Sequence, residues 1–306
     1  MLQSMIGFVV VGVAILVGWI IGRVDLLGEH GRPVLARLTF FVLSPFLLFV
    51  VLAQADVRTL FSALLPVSAI AAAVILLAYF LVARFAWKRS MGETVIGALS
   101  AGQVNSNNIG IPLSLYLLGN AAYPAPVILL QLLVFTPISM TILDAVTSGR
   151  ATLGRSILRT IGNPIVVGSV LGTIVSVSGL ELPAIIMEPA VLIANACVPV
   201  LLISYGMSLV GQRVLAPSGR RRDIVLASSL KLFVMPALAW VLAEFVFGLS
   251  AQDVLIVVVL AALPTAQNVF NYSQRYDVGE TISRDTVFLT TIGCVPVLIG
   301  ITLLLG

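Results

Sequence analysis

Apolar windows of about 20 residues recur along the chain, separated by short polar stretches. The pattern predicts ten spanning helices, near 4–22, 34–53, 63–86, 93–118, 122–144, 160–179, 184–210, 223–248, 251–275 and 281–305. Two windows are irregular. Span 4 is interrupted from Gln103 to Gly110 by one Gln, three Asn and one Ser, and Pro112 follows. Span 9 is interrupted by the run Pro264-Thr265-Ala266-Gln267-Asn268-Val269-Phe270-Asn271. A proline deep in an apolar span, with four polar residues behind it, signals a broken helix.

A break at membrane depth carries a physical demand. Backbone amides find no water in hydrocarbon, so the break must be covered by protein or line a cavity. Pro112 suits the first turn of a new helix. From Ile111 to Leu118 about eight residues remain, roughly 12 Å of helix and less than half the hydrocarbon thickness. The second half-helix of each broken span is therefore expected to begin near mid-membrane. Its N-terminus presents free amide hydrogens and the positive end of the helix dipole. Two such ends, joined by amide side chains, suit an anion. Asn and Gln supply donors without a fixed charge, so an anion is held without being trapped. The C-termini of the two first halves offer carbonyls that suit a cation.

The candidate substrate-binding residues are Asn105, Ser106, Asn107, Asn108, Gly110, Pro112, Pro264, Thr265, Gln267, Asn268 and Asn271. A plainer reading competes with this one. Asn and Gln also join helices to one another in membranes, and Pro and Gly are common there. Seven Asn and Gln residues in two corresponding, Pro-bearing stretches favour the site.

The two stretches correspond because the halves of the chain resemble each other. Ser44-Pro45-Phe46-Leu47-Leu48 matches Val198-Pro199-Val200-Leu201-Leu202, 154 residues on. Thr136-Pro137-Ile138 matches Val295-Pro296-Val297 at 159, and Leu99-Ser100-Ala101-Gly102-Gln103 matches Leu263-Pro264-Thr265-Ala266-Gln267 at 164. Five spans per repeat, an odd number, force the second half to enter from the opposite face. The expected fold is an all-α membrane protein of two inverted five-helix repeats with crossed, broken helices 4 and 9. Residues 1–146 form the first repeat, 147–159 a cytoplasmic linker, and 160–306 the second repeat.

Composition agrees with many spans rather than one anchor. The chain is 59% hydrophobic and 10% charged, against roughly 25% charged in soluble domains, and its mean hydropathy is +1.13. The first 22 residues lack a basic leader and are apolar for long enough to span, so they read as a helix rather than a signal peptide. Of the 17 Lys and Arg residues, only Arg58 falls in an even-numbered loop. The others are Arg23, Arg32, Arg37, Arg84, Lys88, Arg89, Arg150, Arg155, Arg159, Arg213, Arg220, Arg221, Arg222, Arg275 and Arg284, with Lys231 just inside span 8. That bias puts the odd loops in the cytoplasm and both termini outside. The net charge of +4 reflects it, and no nucleic-acid partner is implied. Cys197 and Cys294 read as small core residues, and the single histidine, His30, sits in a short loop. No catalytic constellation, phosphate loop or metal-ligand spacing is present, so neither an enzyme nor a cofactor is expected.

The Asn-rich run ending in Gly110-Ile111-Pro112-Leu113, and the run from Leu263-Pro264 through Phe270 to Arg275-Tyr276, resemble the two crossover motifs of the auxin efflux carrier family. The resemblance covers the whole chain and extends to ten spans with both termini outside. It implies a secondary transporter of the bile acid and arsenite transporter superfamily, in which spans 4 and 9 cross and bind the substrate carboxylate. It implies a moving transport domain of spans 3–5 and 8–10, and a scaffold of spans 1, 2, 6 and 7 that often dimerises. The chain departs from plant members at Val104 and Val269, where they have prolines, and it replaces their long cytoplasmic loop with the short linker. These departures favour a short prokaryotic member, of the kind known as malate or malonate permeases, in the bacterial inner membrane.

Coupling is left open by the sequence. Intramembrane carboxylates are the usual proton relays. Asp144 and Glu244 lie near span ends, and Asp56, Glu181, Glu188 and Asp253 lie in or beside loops. Uniport, proton coupling through a peripheral carboxylate, and sodium coupling through amide and carbonyl oxygens all fit. The main expectation is an efflux carrier or permease for a small organic carboxylate, working by elevator-type alternating access as a homodimer. The alternative is a sodium-coupled organic-anion symporter of the bile acid carrier type.

Overall fold

The computed structural model describes residues 2–28, 30–55, 64–148, 154, 162–211 and 218–306. Asp56, Arg58, Arg213 and most of the 147–159 linker lie outside the described residues. The described residues form twelve helices. They are α1 (Leu2–Arg23), α2 (Gly31–Gln54), α3 (Leu65–Ala86), α4 (Met91–Gly102), α5 (Ile111–Leu118), α6 (Ala125–Thr147), α7 (Pro164–Ser178), α8 (Ala184–Ser208), α9 (Arg221–Val246), α10 (Ala251–Ala262), α11 (Gln267–Tyr276) and α12 (Glu280–Leu305). Six of them, α2, α3, α6, α8, α9 and α12, are long and apolar enough to cross a membrane. Their outward faces are apolar too: Ile185 is 83% exposed and Leu304 84%. A water-facing helix would carry charge there, so these faces fit lipid.

Prolines shape the long helices. Wide π turns occupy Thr39–Leu43, Ser106–Gly110, Gln131–Phe135 and Leu230–Val234. Each ends two residues before a proline, namely Pro45, Pro112, Pro137 and Pro236. A proline lacks the amide hydrogen and crowds the carbonyl four residues back, and a widened turn relieves both.

By packing, the described chain divides into two compact units. The first comprises Met1–Ser62, Asn107–Leu129 and Leu158–Gln212. Here glycines let backbones touch. A Cβ on Gly18 of α1 would clash with the Ile203 carbonyl of α8, and one on Gly206 of α8 would clash with the Ile15 carbonyl of α1. Gly168 and Gly172 of α7 meet the Pro45 and Phe49 carbonyls of α2 in the same way. Gly18 with Gly22, and Gly168 with Gly172, are small residues four apart on one helix face. That spacing is the signature of close packing where burial in lipid offers no driving force.

The second unit comprises Ala63–Ser106, Leu130–Ile157 and Arg213–Gly306. Within it a run of local features recurs 160 residues later. Helix α3 ends in a π turn at Val82–Ala86, and α9 ends in one at Leu242–Val246. Lys88 and Gly248 then take left-handed backbone conformations, at φ 53° and 57°. Ser90 caps α4 by accepting the Glu93 amide at 3.3 Å, and Ser250 caps α10 by accepting the Asp253 amide at 3.2 Å. These are matched serine N-caps, and α4 and α10 each run 12 residues. The expected 164-residue match of Leu99–Gln103 with Leu263–Gln267 is therefore displaced by four. Apolar letters slide past one another at little cost, whereas caps and left-handed turns occupy one register only.

The loop before α4 is tied to the start of α9. Arg89 donates to both oxygens of the fully buried Asp223, from Nε at 3.0 Å and Nη2 at 2.6 Å. The Tyr79 hydroxyl adds a contact at 3.4 Å, and Arg220 pairs with Glu93. Bidentate pairing of this kind fixes orientation as well as charge.

Two outcomes are expected in detergent. Gly206→Val abolishes folded protein on size-exclusion chromatography, whereas Gly12→Val, with open space around it, elutes as wild type does. Asp223→Ala removes the acceptor from Arg89 and Tyr79 and lowers stability by about 1–3 kcal/mol, read as a reduced melting temperature.

Candidate functional site

The second unit holds both breaks. Helix α4 stops at Gly102, and Gln103, Val104 and Asn105 are extended; α10 stops at Ala262, and Leu263–Ala266 leave the helix in turn. The two breaks run antiparallel and pair as a minimal β-bridge between Val104 and Thr265. The Asn105 amide donates to the Pro264 carbonyl at 2.8 Å, and the Ala266 amide donates to the Gln103 carbonyl at 3.1 Å. Each break thus satisfies the other's backbone.

Side chains close the outer edges of the pair. Gln131, in the π turn of α6, accepts the Val104 amide at 2.9 Å through Oε1 and donates to the Val104 carbonyl at 3.1 Å through Nε2. Its carboxamide stands in for a third strand. On the other side Thr290 of α12 accepts the Thr265 amide at 3.0 Å. Gln131 and Thr290 are 159 residues apart, the offset of the Thr136-Pro137 and Val295-Pro296 match. The Thr265 hydroxyl donates to the Ser100 carbonyl at 2.6 Å, capping the inner end of α4.

The expected site residues have distinct places. Asn105, Ser106, Pro264 and Thr265 are buried in the paired breaks. Gln267 opens α11 and is half-buried, whereas Asn268 and Asn271 lie on exposed faces of that helix. The first interruption is shorter than expected. Ser106–Gly110 is a π turn that leads straight into α5, so only Gln103–Asn105 is extended, and Pro112 is the second residue of α5. The second is shorter as well, because Gln267 through Asn271 are helical. Asn107, Asn108, Gly110 and Pro112 belong to the first unit. There Asn107 Nδ2 contacts Asn108 Oδ1 at 3.1 Å and Ser44 Oγ at 3.5 Å, and Gly110 and Pro112 are buried.

Two features of the breaks favour a bound group. The Nε2 of Gln103 and the Oγ of Ser106 are buried with no hydrogen-bond partner among the described residues. An orphaned buried donor costs about 1–3 kcal/mol, so such atoms gain from a polar ligand. The N-terminus of α11, at Ala266, has no side-chain cap. The outer N-termini of α4 and α10 have one each. Uncapped amides at a helix N-terminus favour negative charge.

A family model described as membrane transport protein matches residues 4–151 and 144–302. The chain belongs to this family, that of the auxin efflux carriers. It is a multi-pass membrane transporter. No curated protein matches it.

Two contributors in this carrier, Gln131 and Thr290, escaped the expectations from sequence; they hold the breaks. Gln103, expected only as part of the first interruption, carries an orphaned donor. A further residue has a different place from the one expected. Lys231, expected just inside span 8 beside the preceding basic loop, is fully buried, and its Nζ donates to the Ala261 carbonyl at 2.7 Å, one residue before α10 ends. The breaks therefore have a fully buried lysine at their margin. A simple sequence signal marks most of these positions: a polar residue five or six before a proline within an apolar span. Gln131, Thr290 and Lys231 all satisfy it, ahead of Pro137, Pro296 and Pro236.

Gln131→Met strips both hydrogen bonds from Val104 at nearly constant volume. The expected loss is roughly 1–3 kcal/mol, seen as a lower melting temperature, with Gln131→Glu partly retaining stability only at low pH, where a protonated carboxyl again offers a donor.

Proposed function

We propose that the protein carries a small organic carboxylate anion across the plasma membrane, a bacterial inner membrane, and binds it at the crossed breaks of spans 4 and 9. The observation that carries this reading is the antiparallel pairing of Gln103–Asn105 with Leu263–Ala266, beside the uncapped N-terminus of α11. Amide donors converge there without a carboxylate acceptor among them. Asn105, Ser106 and Gln267 are the nearest of the expected ligands, with Gln103 added to them. Asn107, Asn108, Gly110 and Pro112 shape the second half of span 4. Thr265 and Pro264 act mainly as the lock, since their polar groups are already engaged. Asn268 and Asn271 bind only in a state that covers α11.

The architecture proposed is ten spans in two inverted five-helix repeats, with both termini outside. The matched caps, left-handed turns and π turns 160 residues apart support it, as do the Gly-x-x-x-Gly pairs of α1 and α7, 150 residues apart. Spans 1, 2, 6 and 7 form the scaffold and dimer interface, and spans 3–5 and 8–10 the moving domain of an elevator. The grouping of α1, α2, α7 and α8 in one unit, and of α3, α4 and α9–α12 in the other, supports that division. The stretch 107–129 groups with the first unit, so the mobile boundary is drawn within spans 4 and 5.

A thermal-shift screen of purified protein against mono- and dicarboxylates and indole-3-acetate is expected to find a stabilising anion. Asn105→Ala and Gln267→Ala should keep the fold but lose that stabilisation and the matching flux in proteoliposomes. Wild-type flux in both variants would sink the site assignment. Cysteines placed in 218–222 should label only from the cytoplasm.

A further inference from the structure

We propose that Lys231 is a tethered cation. Its ammonium fills the place at the inner C-terminus of α10 where a cation-coupled carrier would bind a free ion. This half of the crossover then works without sodium. The proposal rests on the carrier reading of the paired breaks and concerns what drives or balances them.

The geometry is that of a cationic group set against a helix C-terminus. The last four carbonyls of a helix lack amide partners within it and carry the negative end of its dipole. In α10 the Leu263 amide reaches Leu260, and the Ala261 carbonyl is taken by Lys231 Nζ at 2.7 Å. The sulfur of Met235, one turn further along α9, is 3.1 Å from the same ammonium. Among the described residues no carboxylate pairs with Lys231, and its side chain has no exposed surface. Charged side chains inside membranes are costly, and those that occur serve pathways or partners. Here the partner is a helix end.

The other half lacks this device. Residues 160 and 159 positions before Lys231 are Ala71 and Ala72, both buried in a regular stretch of α3. The π turn that carries Lys231, Leu230–Val234, has no counterpart there either. The inner end of α4 instead receives a neutral donor, the Thr265 hydroxyl on the Ser100 carbonyl. One half-helix end is thus neutralised by a covalent charge and the other by a dipole. A covalent cation differs from sodium in one respect that matters for transport: it cannot leave, so it contributes positive potential to the breaks in every state of the cycle.

The test compares melting temperatures of full-length wild type and Lys231→Ala in sodium chloride, methylammonium chloride and choline chloride of equal ionic strength. Wild type should be indifferent to the choice. Lys231→Ala should melt several degrees lower in choline and recover in sodium or methylammonium, which fit the vacated position, as choline does not. An equal response of both proteins to the three salts, whether large or absent, overturns the proposal. If Lys231→Ala does not fold, Lys231→Met, which keeps the stem, is held to the same comparison. If neither folds, wild type decides: a saturable rise with sodium over choline overturns the proposal, and indifference upholds it. No carboxylate is present in these measurements, so failure to find a transported anion leaves their outcome untouched, and the reverse holds too.

Discussion

Everything distinctive here follows from one constraint: a backbone opened within hydrocarbon must find its hydrogen bonds in protein. Each unsatisfied group there costs several kcal/mol. Two helices of this chain open, and neither could do so alone. The break after α4 supplies a carbonyl and an amide to the break after α10 and receives the same in return. Gln131 and Thr290 close the remaining edges. The result is a piece of sheet one residue wide, held inside an otherwise helical unit.

Prolines make those helpers available. A widened turn before a proline changes the facing of the residues that precede it. Gln131 opens one such turn and Lys231 lies in another. Gln131 and Lys231 therefore come from positions where the helix ladder is already perturbed, in line with the frequency of π bulges at functional sites, whereas Thr290 lies in the unbroken helix α12. The first unit uses the opposite device. Its glycines remove side chains so that regular helices meet backbone to backbone.

Much of this was legible in the chain. The helices fall on the apolar windows, and both interruptions were visible as Asn, Gln and Pro in apolar surroundings. Their extents were overestimated because polarity persists past the break: Ser106 to Asn108 and Gln267 to Asn271 are polar yet helical. Around the two breaks, matching local features recur at 160 residues, four short of the 164 expected from Leu99–Gln103 and Leu263–Gln267, since composition alone does not distinguish one apolar phase from another. Gln131, Thr290 and Lys231 were not visible as a group. Their partners lie 27, 25 and 30 residues away, and only folding brings them together. Lys231 was the most deceptive, because a lysine two to three turns past a basic loop reads as part of that loop.

If the proposed anion site is the working one, the placement of Lys231 accounts for how it would bind an anion and still release it. A lysine or arginine pointing into the proposed site would form a strong ion pair with a carboxylate, in a medium that screens it poorly. Here the ammonium is spent on the carbonyl end of α10, on the far side of the break from the uncapped amides of α11. As the proposed tethered cation it would raise the potential around the breaks without direct contact. In the proposed site neutral donors, Gln103 Nε2 among them, would make the contacts instead. Binding is then a sum of several moderate hydrogen bonds in a positive field, each replaceable by water as the site opens, rather than one bond that must be broken whole.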